Sequence, residues 1–149
     1  MGATESWPET EIRDRVVVKD LHEALGLDAI ESSKAITVNV SNPDFDGYFG
    51  RLVYAKGCVL LRMIEHFLTE DIFKMGVQDY LKRHQFGNAE TKDLWESLST
   101  VAGDQLPQNL SIGTIMSTWT GQPGYPLVTF DGEKLSQTRF FLNASGTNA

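Results

Sequence analysis

Between Val53 and Leu68 the apolar residues Val53, Leu60, Leu61, Ile64, Phe67 and Leu68 recur at helical spacing. At 100° per residue they form one stripe centred near Gly57 and Ile64, with Tyr54 at its margin, about 80° from the centre. Upstream, Arg13–Glu31 reads as a helix with Val17, Leu21, Ala24 and Leu25 on one side and Leu27 and Ile30 beside them. The β-branched run Val16-Val17-Val18 weakens its start, and Ser32-Ser33 stops it. Ile36–Val40 alternates apolar and polar, as a short strand or extended segment does. Ser41-Asn42-Pro43-Asp44 predicts a short helix carrying Phe45, Tyr48 and Phe49 towards the Tyr54 helix.

Downstream, Thr69 is expected to cap a helix that has Glu70 and Asp71 in its first turn, Phe73, Val77, Tyr80 and Leu81 as its stripe, and Lys82, Arg83 and His84 at its end. Thr91 is expected to cap the next, with Leu94, Trp95, Leu98 and Val101 on its face and Gly103 at its end. Ile112, Ile115, Met116 and Trp119 outline a last helix. After the turn Gln122–Pro126, the segments 127–130 and 137–141 flank Asp131-Gly132 as the start of a β-hairpin. The pattern predicts a mainly α fold, a helical array with a short β segment at the C-terminus. A sheet of two strands is marginal alone, so the end of the chain reads as the edge of a second domain.

A chain of 149 residues, 41% hydrophobic and 22% charged, suits one globular domain. The net charge of −7 argues against a nucleic-acid surface, which needs a basic face, and against anionic membranes. No run of 18 apolar residues marks a transmembrane helix. Met1–Thr10 is polar and acidic and reads as neither signal peptide nor anchor. Cys58, the single cysteine, lies in the apolar helix and reads as a buried, inert thiol. Sequons at Asn39, Asn109 and Asn143 make a secretory-pathway or membrane-anchored ectoenzyme parent one reading. Residence in the cytoplasm stays open.

Taken alone, Tyr54 is an ordinary boundary tyrosine. Gly57, one turn later, costs about 1 kcal/mol relative to alanine within a helix and so asks for a reason. Close packing of another backbone is one; clearance beside a working phenol is another.

The order of residues adds to this. Phe49-x-x-x-x-Tyr54-x-Lys56-Gly57, followed by an apolar helix with Leu61-Arg62-Met63, resembles the zinc aminopeptidases of the aminopeptidase N type. Asn88-Ala89 with Asp93-Leu94-Trp95, and Trp119-Thr120-Gly121-Gln122-Pro123-Gly124-Tyr125-Pro126, are similar to further motifs of that family in the same order. Leu27–Ser33 looks like the family's segment leading to Ser-His-Pro-Ile, which reads Ser33-Lys34-Ala35-Ile36 here. The missing histidine is not a zinc ligand in the family, so this departure bears on loop geometry.

The resemblance implies that residues 13–126 form the helical C-terminal part of a thermolysin-like catalytic domain, after a disordered lead over 1–12. Residues 127–149 would begin a β-sandwich domain. It implies that Tyr54 donates a hydrogen bond to the tetrahedral intermediate and that Phe49 lines the first substrate pocket. Packing in the core is an equal reading for Phe49. Lys56 and Gly57 read as structural. Zinc in that family is held by His-Glu-x-x-His and a later Glu. The histidines here are His22, His66 and His84, with no i, i+4 pair, so the chain is expected to hold no zinc and to be inactive alone. The parent would act on peptides with a free N-terminus. A non-catalytic helical binding module is the rival reading. Apolar faces without partners are expected to drive self-association or docking with a zinc-bearing half.

Overall fold

The computed structural model describes residues 12–38, 50–107 and 109–143. Its elements are α1 (Ile12–Arg15), a π-helical stretch (Val16–Leu21), α2 (His22–Asp28), α3 (Arg51–Leu68), α4 (Glu70–Arg83), α5 (Thr91–Ala102), a 3₁₀ turn (Gly103–Gln105), α6 (Ile112–Thr120), β1 (Pro126–Phe130) and β2 (Leu135–Arg139). The fold is mainly helical with one two-stranded antiparallel sheet, as the sequence predicts. The described residues divide into two compact units, one from Leu60–Thr118 and the other from the described parts of 10–59 and 119–149.

The first unit is an apolar assembly. Leu60, Ile64, Leu68, Phe73, Leu98, Ala102, Ile112 and Met116 are buried. All but Ala102 belong to the helical stripes, which their spacing places on single faces; Leu81, expected in the buried stripe of α4, is instead 60% exposed in its last turn, and Leu61 and Phe67 of the α3 stripe are exposed as well. The helices α4 and α5 pack against each other. A Cβ on Gly76 of α4 would lie 2.7 Å from Leu98 Cδ2 and 3.1 Å from Leu98 Cα. Glycine is therefore required for this approach. The start of α6 is tied to α5 by Ile112 N donating to Ser99 Oγ at 3.1 Å.

In the second unit α1, the π stretch and α2 form one continuous helical run. The wide turn falls on Val16-Val17-Val18, where β-branched side chains crowd a regular helix. The run ends at Asp28, three residues before the predicted Glu31. The chain then closes with β1 and β2 in antiparallel register, Leu127 opposite Thr138 and Phe130 opposite Leu135.

Four expectations are corrected. Of the two readings for Ile36–Val40 the strand drops out over its described part; Thr37 N donates to Thr120 O at 3.0 Å, a single bond that pins the segment without a ladder. Thr69 stands at the N-cap of α4 with φ 78°, and its hydroxyl makes no capping bond. Glu90, not Thr91, caps α5, and its N–H donates to Asp93 Oδ2 at 2.7 Å. An acidic pair thus does what Ser or Thr usually does. Finally, β2 spans Leu135–Arg139, where the sequence suggested 137–141. Asp131 Oδ1 accepts the N–H groups of Glu133 and Lys134 at 2.9 and 2.8 Å and so makes a tight turn. Strand pairing resumes directly after it. The short helix expected after Ser41, the lead over 1–10 and the tail beyond Asn143 lie outside the described residues.

Candidate functional site

Tyr54 sits in the opening turns of α3, the helix that its apolar stripe predicts. It is 67% exposed, and its hydroxyl makes no hydrogen bond among the described residues. On a helix the residue two positions on points about 160° away. That residue is Lys56, and it is buried at 4% exposure. The helix thus shows a phenol to solvent on one side and drives a lysine into the protein on the other.

Lys56 finds its partners in two remote segments. Its Nζ lies 2.7 Å from Asp28 Oδ2 at the end of α2. It also donates to Gln122 O at 3.1 Å and Gly124 O at 3.3 Å, in the turn after α6. An ammonium has three donor positions, and all three are used. Asp28, 2% exposed, is equally well provided. Its Oδ1 accepts Gly124 N at 2.7 Å and Ser33 Oγ at 2.6 Å. A buried ion pair carries a large desolvation cost, and complete hydrogen bonding is what offsets it.

The turn is shaped to fit this pair. Gly124 has φ 83°, and a Cβ there would lie 2.9 Å from both Cγ and Cδ of Arg139. Glycine meets both demands at once. Arg139 in turn donates from Nη2 to Ile30 O at 3.0 Å and lies 4.6 Å over the Phe141 ring. Tyr125 stacks on Phe140 with centroids 5.3 Å apart. Burial, and then the nearby Asp28 carboxylate, push the Tyr125 phenol above its ordinary pKa. A further ion pair, Arg51 with Glu23, joins the first residue of α3 to α2.

The structure therefore brings together three of the stretches singled out in the sequence: Leu27–Ser33, Tyr54–Gly57 and Gln122–Pro126. Lys56, read from the sequence as structural, is buried with all of its donors engaged. In the sequence Asp28 belongs to the Leu27–Ser33 motif, with no role of its own. Its signal was electrostatic: an acid in the last turn of a helix faces the negative end of the dipole and needs a compensating cation. Phe49 lies outside the described residues. A Cβ on Gly57 would meet nothing within 4 Å among the described residues, so none of them packs its backbone closely against that glycine. Cys58 is half-buried rather than buried.

The described residues do not form a site that fits a catalytic zinc ion. His22 and His66 are exposed, and His84 is half-buried against Tyr80 at 5.3 Å. Among the described residues no group of three His, Cys, Asp or Glu side chains could hold a metal ion. Nor is any described helix long and apolar enough to cross a membrane.

Comparison with known proteins bears on the same stretches. The peptidase family M1 domain matches residues 1–119. The glutamyl aminopeptidase of Bos taurus is 35% identical over 145 residues, 96% of this chain and 14% of that protein. Aminopeptidase 2 of Candida albicans is 39% identical over 140 residues, 90% of this chain and 14% of that protein. The probable aminopeptidase 1 of Saccharolobus solfataricus is 35% identical over 147 residues, 95% of this chain and 18% of that protein. The chain thus spans less than a fifth of the length of these relatives. Members of the family are generally zinc-dependent. With the family domain matching most of its length, this chain belongs to peptidase family M1.

Proposed function

We propose that this chain is the part of a zinc aminopeptidase that carries the transition-state hydrogen-bond donor, Tyr54, and none of the zinc ligands. The observation that carries the reading is the placement of Tyr54: an exposed phenol whose hydroxyl bonds to no described residue, on a helix locked from its opposite face. When water adds to a peptide carbonyl, the oxygen gains a full negative charge. The Tyr54 hydroxyl donates to that oxyanion and stabilises it more than the ground-state carbonyl, which is what lowers a barrier. The substrate is a peptide with a free N-terminus. Phe49 is assigned to the first substrate pocket, and core packing is the alternative for it. The zinc and its ligands come from another segment, because nothing described here would hold them.

In this reading residues 13–126 are the helical part of the catalytic domain and 127–149 the start of a β-sandwich. Docking with the zinc-bearing half, or self-association in its absence, is supported by the large apolar side chains left in solvent. Among them are fully exposed Phe86, whose φ is 60°, and Val128, Phe130 and Leu135. Exposed Asn109 and Asn143 leave room for glycans, in keeping with a secretory or membrane-anchored ectoenzyme parent.

The test combines this chain with the zinc-bearing half of an M1 aminopeptidase and follows release of a fluorescent amine from an aminoacyl amide. Recovered turnover is the expected result. Tyr54→Phe, which deletes only the donor, should lower kcat by about 10²–10³ and leave KM near its starting value. Turnover within a few-fold of the unmodified assembly removes Tyr54 from the chemistry. A bound but inactive assembly favours a non-catalytic binding module.

A further inference from the structure

We propose that Lys56 is the positioning residue for Tyr54, acting with Asp28 as a buried lock that fixes where the phenol projects. This rests on the catalytic reading of Tyr54 above.

The argument is geometric. A helix bound only by apolar side chains can rotate or slide a little, because dispersion and burial are weakly directional. The opening of α3 is held differently. Lys56 engages the end of α2 through Asp28, and the turn after α6 through the carbonyls of Gln122 and Gly124. Asp28 binds the same turn again through Gly124 N. These bonds converge on one ammonium from two segments, so axial rotation and translation of α3 would both break them. Tyr54 is two residues away on the opposite face, 67% exposed and with no bond to a described residue to hold it. Its hydroxyl can be placed only by the helix that carries it. An oxyanion donor must sit within a few tenths of an ångström of its station, so order in α3 becomes order in the site.

Two measurements test this. The first uses the whole chain. In Lys56→Met, amide exchange by NMR should lose about tenfold protection or more at Ala55–Val59, while α4 and α5 keep theirs, since local opening and global opening are separable. If Lys56→Met alone unfolds the chain, the pair Asp28→Asn with Lys56→Met, which leaves no lone buried charge, replaces it. Unchanged protection at Ala55–Val59, or an equal loss throughout, overturns the proposal.

The second measurement is a double-mutant cycle on the reconstituted peptidase. Lys56→Met should lower kcat about tenfold or more with KM little changed. In the Tyr54→Phe background it should lower kcat less than about twofold, because the group it positions is already gone. A merely structural lysine would multiply the two losses, and that result overturns the positioning role while leaving Tyr54 in place. Full turnover in Tyr54→Phe overturns the Tyr54 reading itself, and the positioning role falls with it.

Discussion

The two compact units hold together by different physics. The unit from Leu60–Thr118 is closed by apolar side chains, with Ile64, Leu98, Ile112 and Met116 fully buried. The unit around α2, the opening of α3 and the hairpin has at its centre an ion pair, Lys56 with Asp28, wrapped in carbonyl, amide and hydroxyl partners. Apolar packing is additive and tolerant: a changed side chain costs roughly what it no longer buries. A satisfied polar network is close to all-or-none, because one lost partner leaves the rest buried and unpaired. A site that needs an exact station for one side chain gains more from the second kind of core.

Substitutions can break or sharpen this contrast. The largest effect is expected for Lys56→Met, which strands the Asp28 carboxylate; the local opening free energy around it, read by amide exchange at Ala55–Val59, should fall by about 3–5 kcal/mol. Replacing both partners by apolar residues of similar size should cost much less. A double variant as unstable as the single one would mean that the charges are not the issue. Next comes Leu98→Ala, which empties a fully buried site and should cost about 2–5 kcal/mol with no such rescue. The smallest effects are expected from a matched pair of glycines. Gly76→Ala forces a Cβ against Leu98 and should destabilise by about 1–3 kcal/mol. Gly57→Ala meets open space and should stabilise by up to about 1 kcal/mol. Melting temperatures of the two variants should therefore move in opposite directions.

The same contrast explains what could be read from the sequence. The stripes of α3, α5 and α6 were legible because burial imposes a period of 3.6 on apolar residues, and Leu60, Ile64, Leu98 and Met116 obey it. Tyr54 at the margin of its stripe was legible by the same arithmetic. The Lys56–Asp28 lock was not, because a charge carries no mark of burial and its partner lies 28 positions away in sequence. Local chemistry misled where two devices compete for one job. The capping box at Glu90 displaced Thr91, and the bonds made by Asp131 let strand pairing resume at Leu135 rather than Gln137. The alternating run at Ile36 has the period of a strand, but at Thr37 it meets the end of a helix and no sheet.

The hairpin leaves both apolar side chains and strand edges in solvent. Val128, Phe130 and Leu135 share one face by register, and all are exposed. Neither β1 nor β2 has a second neighbour among the described strands, so each offers a row of backbone donors and acceptors ready to template another strand. Against this stands the net charge of −7, a repulsion that reaches further than the stickiness it opposes. At about 0.1 M salt that reach shrinks to roughly 10 Å, comparable to the thickness of a pair of stacked sheets. Light scattering over a salt series tests this: if the edges recruit other chains, scattering should rise as salt screens the charge.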